Sequence, residues 1–465
     1  MMRRWRLPLL VLIAGGIAVT VLLVHNQRLA GEIASEMFVP RKMQMTREIE
    51  LLQRYVRIDT SNPPGKEAAG AAFLAAELRR NGIASEVIES APGRGNVYAR
   101  VHGKRPGEGL LLLNHIDVVP ATLRGWSKPP FSGAALYNQI YGRGTLDMKG
   151  IAICELEAFI DVARKGVIPE RDLVFLATAD EEQGGEMGLA WLLTHRPELF
   201  EGIRYALNEG GITESKQERI SYFGIEIGTK MMVKMRLHAS SREAMQRIRL
   251  RLEPFITPPD PERISPEVRE FLHDVAPLRV EQKSLLTDID RTVADGKFWL
   301  LSSGYKELTQ NSMWIGGVEA EGSGAAMQIN LYNLPDEQPQ TRIQWVRRQV
   351  EPLGIRVEVL ETNGPAPLTS RHTPLFELIA REVRREYPGV PVGTEILAAS
   401  FNDSRYLRAR GIDAYGMWPF PVDFYQTQGI HSVNERVRAD WFQQGVGLTR
   451  RLVSSYVFEP PMRGR

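Results

Sequence analysis

His115 and Asp117 stand two residues apart, directly after the apolar run Leu110-Leu111-Leu112-Leu113-Asn114. Four further segments end on an acid or a histidine. Tyr141-Gly142-Arg143-Gly144-Thr145-Leu146 leads into Asp147, and Leu173–Thr178 into Ala179-Asp180-Glu181-Glu182. Arg204–Leu207 leads into Asn208-Glu209-Gly210-Gly211, and Gln428-Gly429-Ile430 into His431. In open α/β sheets, ligand sites form beyond the carboxyl ends of the strands. Five such loops at one edge would gather two imidazoles and several carboxylates. Nitrogen and carboxylate ligands are those of catalytic zinc, and a carboxylate can bridge two ions about 3.5–4 Å apart. Water between such ions is acidified to a pKa of about 7. A further carboxylate must then carry its proton to a leaving amine. The neighbours Glu181 and Glu182 fit a division into base and ligand, and Asp117 fits as the carboxylate that fixes the His115 ring. Taken singly, a His-x-Asp or a Glu-Glu pair is commonplace in solvated loops. Their placement at successive strand ends is what points to a metal site.

The elements that must position these residues alternate. Met43–Ile58 has helical periodicity, broken by the turn residues Asp59-Thr60-Ser61-Asn62-Pro63-Pro64-Gly65. Ala68–Arg80 reads as a helix stopped at Gly82, Asn96–Val101 and Gly109–Leu113 as strands, and Met148–Arg164 as a helix. The rhythm predicts an α/β domain with a mostly parallel sheet covered by helices. After about Ile225 it changes. Met231–Leu237, Met327–Tyr332 and Ile355–Leu360 read as strands, Arg242–Leu252 and Gln340–Leu353 as helices, with a Pro-rich stretch from Pro254 to Pro266. The expected organisation is a catalytic domain in two parts, 40–225 and 363–457, interrupted by a small α+β lid over 226–362.

Composition narrows the class. The 465 residues hold 58 Lys+Arg against 56 Asp+Glu, a formal net charge of +2, which argues against a nucleic-acid binder working through a basic surface. The hydrophobic fraction of 43% is that of a folded chain. The single cysteine, Cys154, cannot form an internal disulfide and sits in an apolar helical stretch as a core residue. Arg3, Arg4 and Arg6 precede Leu7–Val24, 18 residues without charge, which would reach about 27 Å as a helix. Arg28-Leu29-Ala30 is a poor cleavage site and no cysteine lies nearby for lipidation. Residues 1–28 are therefore expected to form a transmembrane signal anchor of a single-pass membrane protein. Its catalytic domain would be extracytoplasmic, periplasmic in a bacterium.

The residues resemble the dinuclear zinc aminoacylase and exopeptidase family of clan MH. That family includes aminoacylase, carboxypeptidase S, glutamate carboxypeptidase, and the acetylornithine and succinyl-diaminopimelate deacylases. The resemblance covers roughly 45–230 and 363–457. It is carried by Asn62-Pro63-Pro64-Gly65, Asn114-His115-Ile116-Asp117-Val118-Val119-Pro120, Trp126, Pro129-Pro130-Phe131-Ser132-Gly133 and Gly142–Gly150. It implies that Asp147 bridges two Zn²⁺ per subunit, with Co²⁺ or Mn²⁺ as alternatives. His115 and Glu209 would complete one ion's ligands, Glu182 and His431 the other's. Glu181 would be the general base and Asp117 the partner of His115. Glu209 in its Asn-Glu-Gly setting resembles the aminoacylase and carboxypeptidase S branch. The family's lid is often a dimerisation surface, which implies a homodimer.

The departures lie in the lid. The family's Gly-His-x-Ser/Pro-type loop after the first lid strand is shortened here. His238 is either its carbonyl-polarising histidine moved forward or a strand residue with the loop lost. Tyr332 stands where the family often has Arg. Arg405, in Asn402-Asp403-Ser404-Arg405, is either a grip for a substrate carboxylate or a surface ion-pair partner, and Asn311 is a further lid contact. The expected activity is zinc-dependent cleavage of an amide bond in N-acyl amino acids or short peptides with a free carboxylate. The alternative is a membrane-anchored metal-binding protein with an altered lid and little turnover.

Overall fold

Leu110, Leu111, Leu112 and Leu113 are fully buried, as befits a strand covered on both faces of a sheet. The structure, a computed structural model, describes residues 43–460 except 212, 217–218, 253–260, 336, 364–366, 398–399, 424–426 and 428. The strand holding the leucines, Arg105–His115, lies between two parallel neighbours, Arg171–Thr178 and Ile203–Asn208. Asp413–Gly416 extends the parallel set on Ile203–Asn208. Around this centre the ten-stranded sheet is mixed. Gly95–Val101 runs antiparallel to Arg171–Thr178, Glu86–Glu89 antiparallel to Gly95–Val101, and Thr213–Lys216 antiparallel to Arg219–Thr229. This corrects the mostly parallel expectation. Short links such as 90–94 allow only a hairpin, because a parallel return needs a crossover of a dozen residues or more.

Helix Lys149–Arg164 packs on Ala439–Phe458, which in turn packs on Pro374–Glu386. Thr373 caps the last of these by accepting from the Phe376 amide, with Pro374 in the first turn. A second sheet of four antiparallel strands has the order Ser312–Glu321, Gly324–Asn333, Met231–Ala239, Arg356–Asn363. The alternating residues Val233, Met235 and Leu237 turn towards helices Arg242–Leu252 and Pro339–Val350 and form a core with Met245, Ile248, Val346 and Val350. Arg219–Thr229 stays in the large sheet, so the chain crosses to the small one at Lys230. The Pro-rich stretch leads into short helices, including Pro266–Val275 and Ser303–Thr309.

Both sheets belong to one compact unit, 45–135 with 139–465. The other unit comprises 1–44 and 136–138, of which 43–44 and 136–138 are described; Leu136 ends the short strand Ala134–Leu136, and the turn residues Tyr137 and Asn138 have φ of 51° and 60°. No helix among the described residues is long and apolar enough to cross a membrane. Ala439–Phe458 has 20 residues, but Asp440, Arg450 and Arg451 fall within it and Arg450 pairs with Glu157. The expected single-pass protein with an extracytoplasmic domain is corrected accordingly. The segment that prompted it, Leu7–Val24, lies outside the described residues.

Candidate metal centre

His115 ends its strand, Asp147 precedes helix Lys149–Arg164, and Glu181 and Glu182 form a tight turn after Arg171–Thr178. Glu209 follows Ile203–Asn208, and His431 sits in a turn with φ of 56°. Asp147 stands between the two histidines: its Oδ1 lies 3.0 Å from His115 Nε2 and its Oδ2 3.0 Å from His431 Nε2. Glu209 Oε1 is 3.6 Å from His115 Nε2, and Glu182 Oε2 is 3.0 Å from His431 Nε2. Two sets have ligand atoms all within 4.8 Å of one another: His115, Asp147 and Glu182, and His115, Glu181 and Glu209. The structure thus brings together all six of these sequence-predicted residues, with Asp117 behind them.

Asp117 lies against the His115 ring, as expected, and does more besides. His115 Nδ1 is 2.9 Å from the backbone carbonyl of Asp117 and 3.5 Å from its carboxylate. The carboxylate also accepts from the amides of Glu181 and Glu182, each at 3.1 Å, and from Asn62 Nδ2 at 3.0 Å. It therefore fixes the acidic turn to the histidine strand.

Several supporting residues were given no role by the sequence reading. Asn62 also donates to Asp180 Oδ1 at 2.9 Å, and Arg94 pairs with Asp180 and with Glu67. Buried Glu435 accepts from the amides of Leu146 (2.8 Å) and Asp147 (3.3 Å) and pairs with Arg143 at 2.6 Å. Arg143 in turn lies over the Trp126 ring. Asn402 donates to the carbonyl of Glu209 at 3.0 Å. The motif neighbourhoods held these residues, but no spacing rule singles out a polar group two loops away.

The cluster is electrostatically crowded. Burial, with Asp147 nearby, pushes the Glu209 carboxyl up to about 8. Burial and Glu209 push Glu181 well above the usual carboxylate range, and burial and Asp147 raise Glu182. His431 is raised to about 10 by hydrogen bonds to Asp147 and Glu182. Burial disfavours the His115 cation, yet Glu209 and the hydrogen-bonded carboxylates raise it well above normal. Four acids and two imidazoles gathered at this spacing form a donor set that fits divalent cations of the zinc type.

A cavity of about 530 Å³ opens on this cluster. Asp147, Glu181, Glu182, Glu209 and His431 line it on one side, and Met232, Lys234, Asn330 and Tyr332 of the small sheet on another. Leu397, Phe401, Trp418 and Ile430 supply apolar wall. The three expected substrate contacts do not line it. His238 is a strand residue, bonded to Glu321 at 2.5 Å and Glu358 at 2.8 Å. Asn311 donates to Glu337 and accepts from the Leu334 amide. Arg405 is buried, donates to the carbonyls of Gly184 and Asn402, and packs on the rings of Phe401 and Tyr406. Its charge is committed to the protein's own backbone and aromatic rings.

Residues 111–455 match the profile of Peptidase family M20/M25/M40. Aminoacylase-1 of Sus scrofa is 36% identical over 166 residues, 35% of this chain and 40% of the relative. The chain therefore spans well under two thirds of that relative's length. The probable carboxypeptidase S-like 2 of Dictyostelium discoideum is 26% identical over 383 residues, 74% of this chain and 71% of the relative. Among solved structures, the M20 family metallo-carboxypeptidase Sso-CP2 from Sulfolobus solfataricus superposes with a TM-score of 0.66 at 17% identity, covering 89% of this chain and 99% of that one.

Proposed function

The chain belongs to Peptidase family M20/M25/M40, and on that premise we propose that it is a dinuclear-metal amidohydrolase acting on N-acyl amino acids or short peptides with a free carboxylate. The observation that carries the reading is Asp147, which presents one oxygen to each histidine at 3.0 Å, the position of a bridging ligand. His115 and Glu209 would hold one ion with it, and Glu182 and His431 the other. Zinc ions bound there supply Lewis-acid polarisation of the amide carbonyl and acidification of the attacking water.

The chain's own residues handle the proton. Glu181 accepts it from the attacking water and returns it to the departing amine. Its burial raises its affinity for that proton, which suits a shuttle. Asp117 holds the Glu181 amide, so the carboxylate starts from a fixed backbone. Leu397, Phe401, Trp418 and Ile430 offer apolar surface to an acyl or side-chain group. The printed names of the relatives, an aminoacylase and a carboxypeptidase S-like protein, support this substrate class.

The test is amino-acid release from matched panels of N-acyl amino acids and dipeptides, with zinc supplied and Glu181→Gln as the blank. Release by the wild type only, at equal metal content, supports the reading. Equal release by the variant sinks the base assignment, and no release from either panel sinks the substrate class.

A further inference from the structure

The wall of the cavity that faces the metal centre comes from the small sheet, and its sequence alternates. On strand Met231–Ala239 the side chains of Val233, Met235 and Leu237 enter the lid's own core. Met232 and Lys234 therefore point the other way, and both line the cavity. Lys234 is the one lysine or arginine among its described lining residues. It is half-buried, and its ammonium makes no ion pair or hydrogen bond with another described residue. An ammonium that faces a cavity with no counter-ion of its own is free to take an anionic group of a ligand.

We propose that Lys234, flanked by Asn330, is the anion anchor of this cavity and selects substrates by their free carboxylate; this rests on the amidohydrolase reading above. Asn330 stands directly across from Lys234 on the neighbouring strand. Its Oδ1 accepts from Gln328 Nε2 at 3.0 Å, which leaves its NH₂ group as the end able to donate. An ammonium and an amide NH₂ side by side match the two oxygens of a carboxylate. Glu361, across from Lys234 on the other side, is the competing charge. It lines the same cavity but forms no ion pair with Lys234, and it also lines a separate recess of about 260 Å³ with Gly184 and Tyr406. Arg405, which packs on the ring of the cavity-lining Phe401, is already bound by backbone carbonyls.

The test is calorimetry on the zinc-loaded Glu181→Gln protein, with N-acetyl-L-phenylalanine and its carboxamide as probes. A charged hydrogen bond of the usual strength corresponds to about tenfold or more in affinity. The acid is expected to bind at least about tenfold more tightly than the amide, Lys234→Met to bring the two within about twofold, and Lys234→Arg to keep the preference. In the otherwise wild-type enzyme, Lys234→Met raises KM for the acid and leaves kcat and metal content in place. A preference that survives Lys234→Met, or failure of the acid to bind at all, overturns the proposal. Because calorimetry reads binding alone, absence of turnover in the wild type would count against the amidohydrolase reading and not against this site.

Discussion

Glu435 and Arg143 are the pair on which the placement of Asp147 rests. Both are nearly inaccessible, at 1% and 3% exposure. Glu435 receives the Leu146 and Asp147 amides on one oxygen and Arg143 on the other. Burial raises the Glu435 carboxyl even with Arg143 beside it, so the ionised pair gains little over having neither charge. Orphaning either member is what hurts, at about 3–5 kcal/mol. Glu435→Gln keeps one acceptor oxygen and turns an NH₂ group onto either Arg143 or the two amides, so one of these donors loses its partner and Arg143 loses its counter-charge. Arg143→Met leaves a buried carboxylate with two amide donors. Each single variant should therefore lose about 3–5 kcal/mol in urea unfolding followed by circular dichroism. The double variant should fall short of their sum by about 2 kcal/mol. With the Asp147 loop loosened, zinc affinity in Glu435→Gln should drop about 10–100-fold, or about 1.4–2.8 kcal/mol. Strictly additive singles together with unchanged zinc affinity would refute the argument.

Four further outcomes are expected. Asn62 holds the carboxylates of Asp117 and Asp180 apart through one NH₂ group, so Asn62→Asp should cut kcat/KM more than Asn62→Ala, each by at least about tenfold; equal effects would speak against charge separation. A Cβ on Gly188 would come within 1.8 Å of the Ala179 carbonyl oxygen, and Gly188→Ala should cost about 3 kcal/mol in the same unfolding assay. Lys230 is buried against the carbonyls of Glu307 and Gln310 with its pKa lowered to about 7, burial being the cause. Its folded value lies below the unfolded one, so the unfolded chain binds the extra proton and stability rises as pH climbs from about 7 towards 10.5, by at most about 1.4 kcal/mol per pH unit; Lys230→Met should flatten that slope. Chelation of the metals should lower the thermal midpoint and added Zn²⁺ should restore it, because the site's acids otherwise repel.

What was legible in the sequence were features written in residue type and order. Leu110–Leu113 announced a buried central strand, and the order of His115, Asp147, Glu181, Glu182, Glu209 and His431 at successive strand ends announced the cluster that the structure gathers. The antiparallel edges were less visible: Glu86–Glu89 is short, and its pairing with Gly95–Val101 depends on a turn. Strand Ser312–Glu321 was missed because its register shifts between Ile315 and Val318, around Gly316 and Gly317, which breaks the alternation that identifies a strand. Short helices such as Ser303–Thr309 lay in and beyond a Pro-rich stretch that reads as loop. Arg405 misled for a different reason. Spacing reports that a guanidinium is near the site but not which way it turns, and the neighbouring Phe401 and Tyr406 were the available sign that it turns inward onto rings. Lys234 carried no motif at all; only the two-sided alternation of its strand, read against the lid core, reveals that it faces the cavity.

The central claim is that Asp147 joins two metal ions in one centre, and metal stoichiometry tests it most directly. Protein dialysed against Zn²⁺ and analysed by plasma mass spectrometry should carry about two ions per chain in the wild type and at most one in Asp147→Asn. One ion in the wild type, or two retained without the Asp147 carboxylate, would contradict the account.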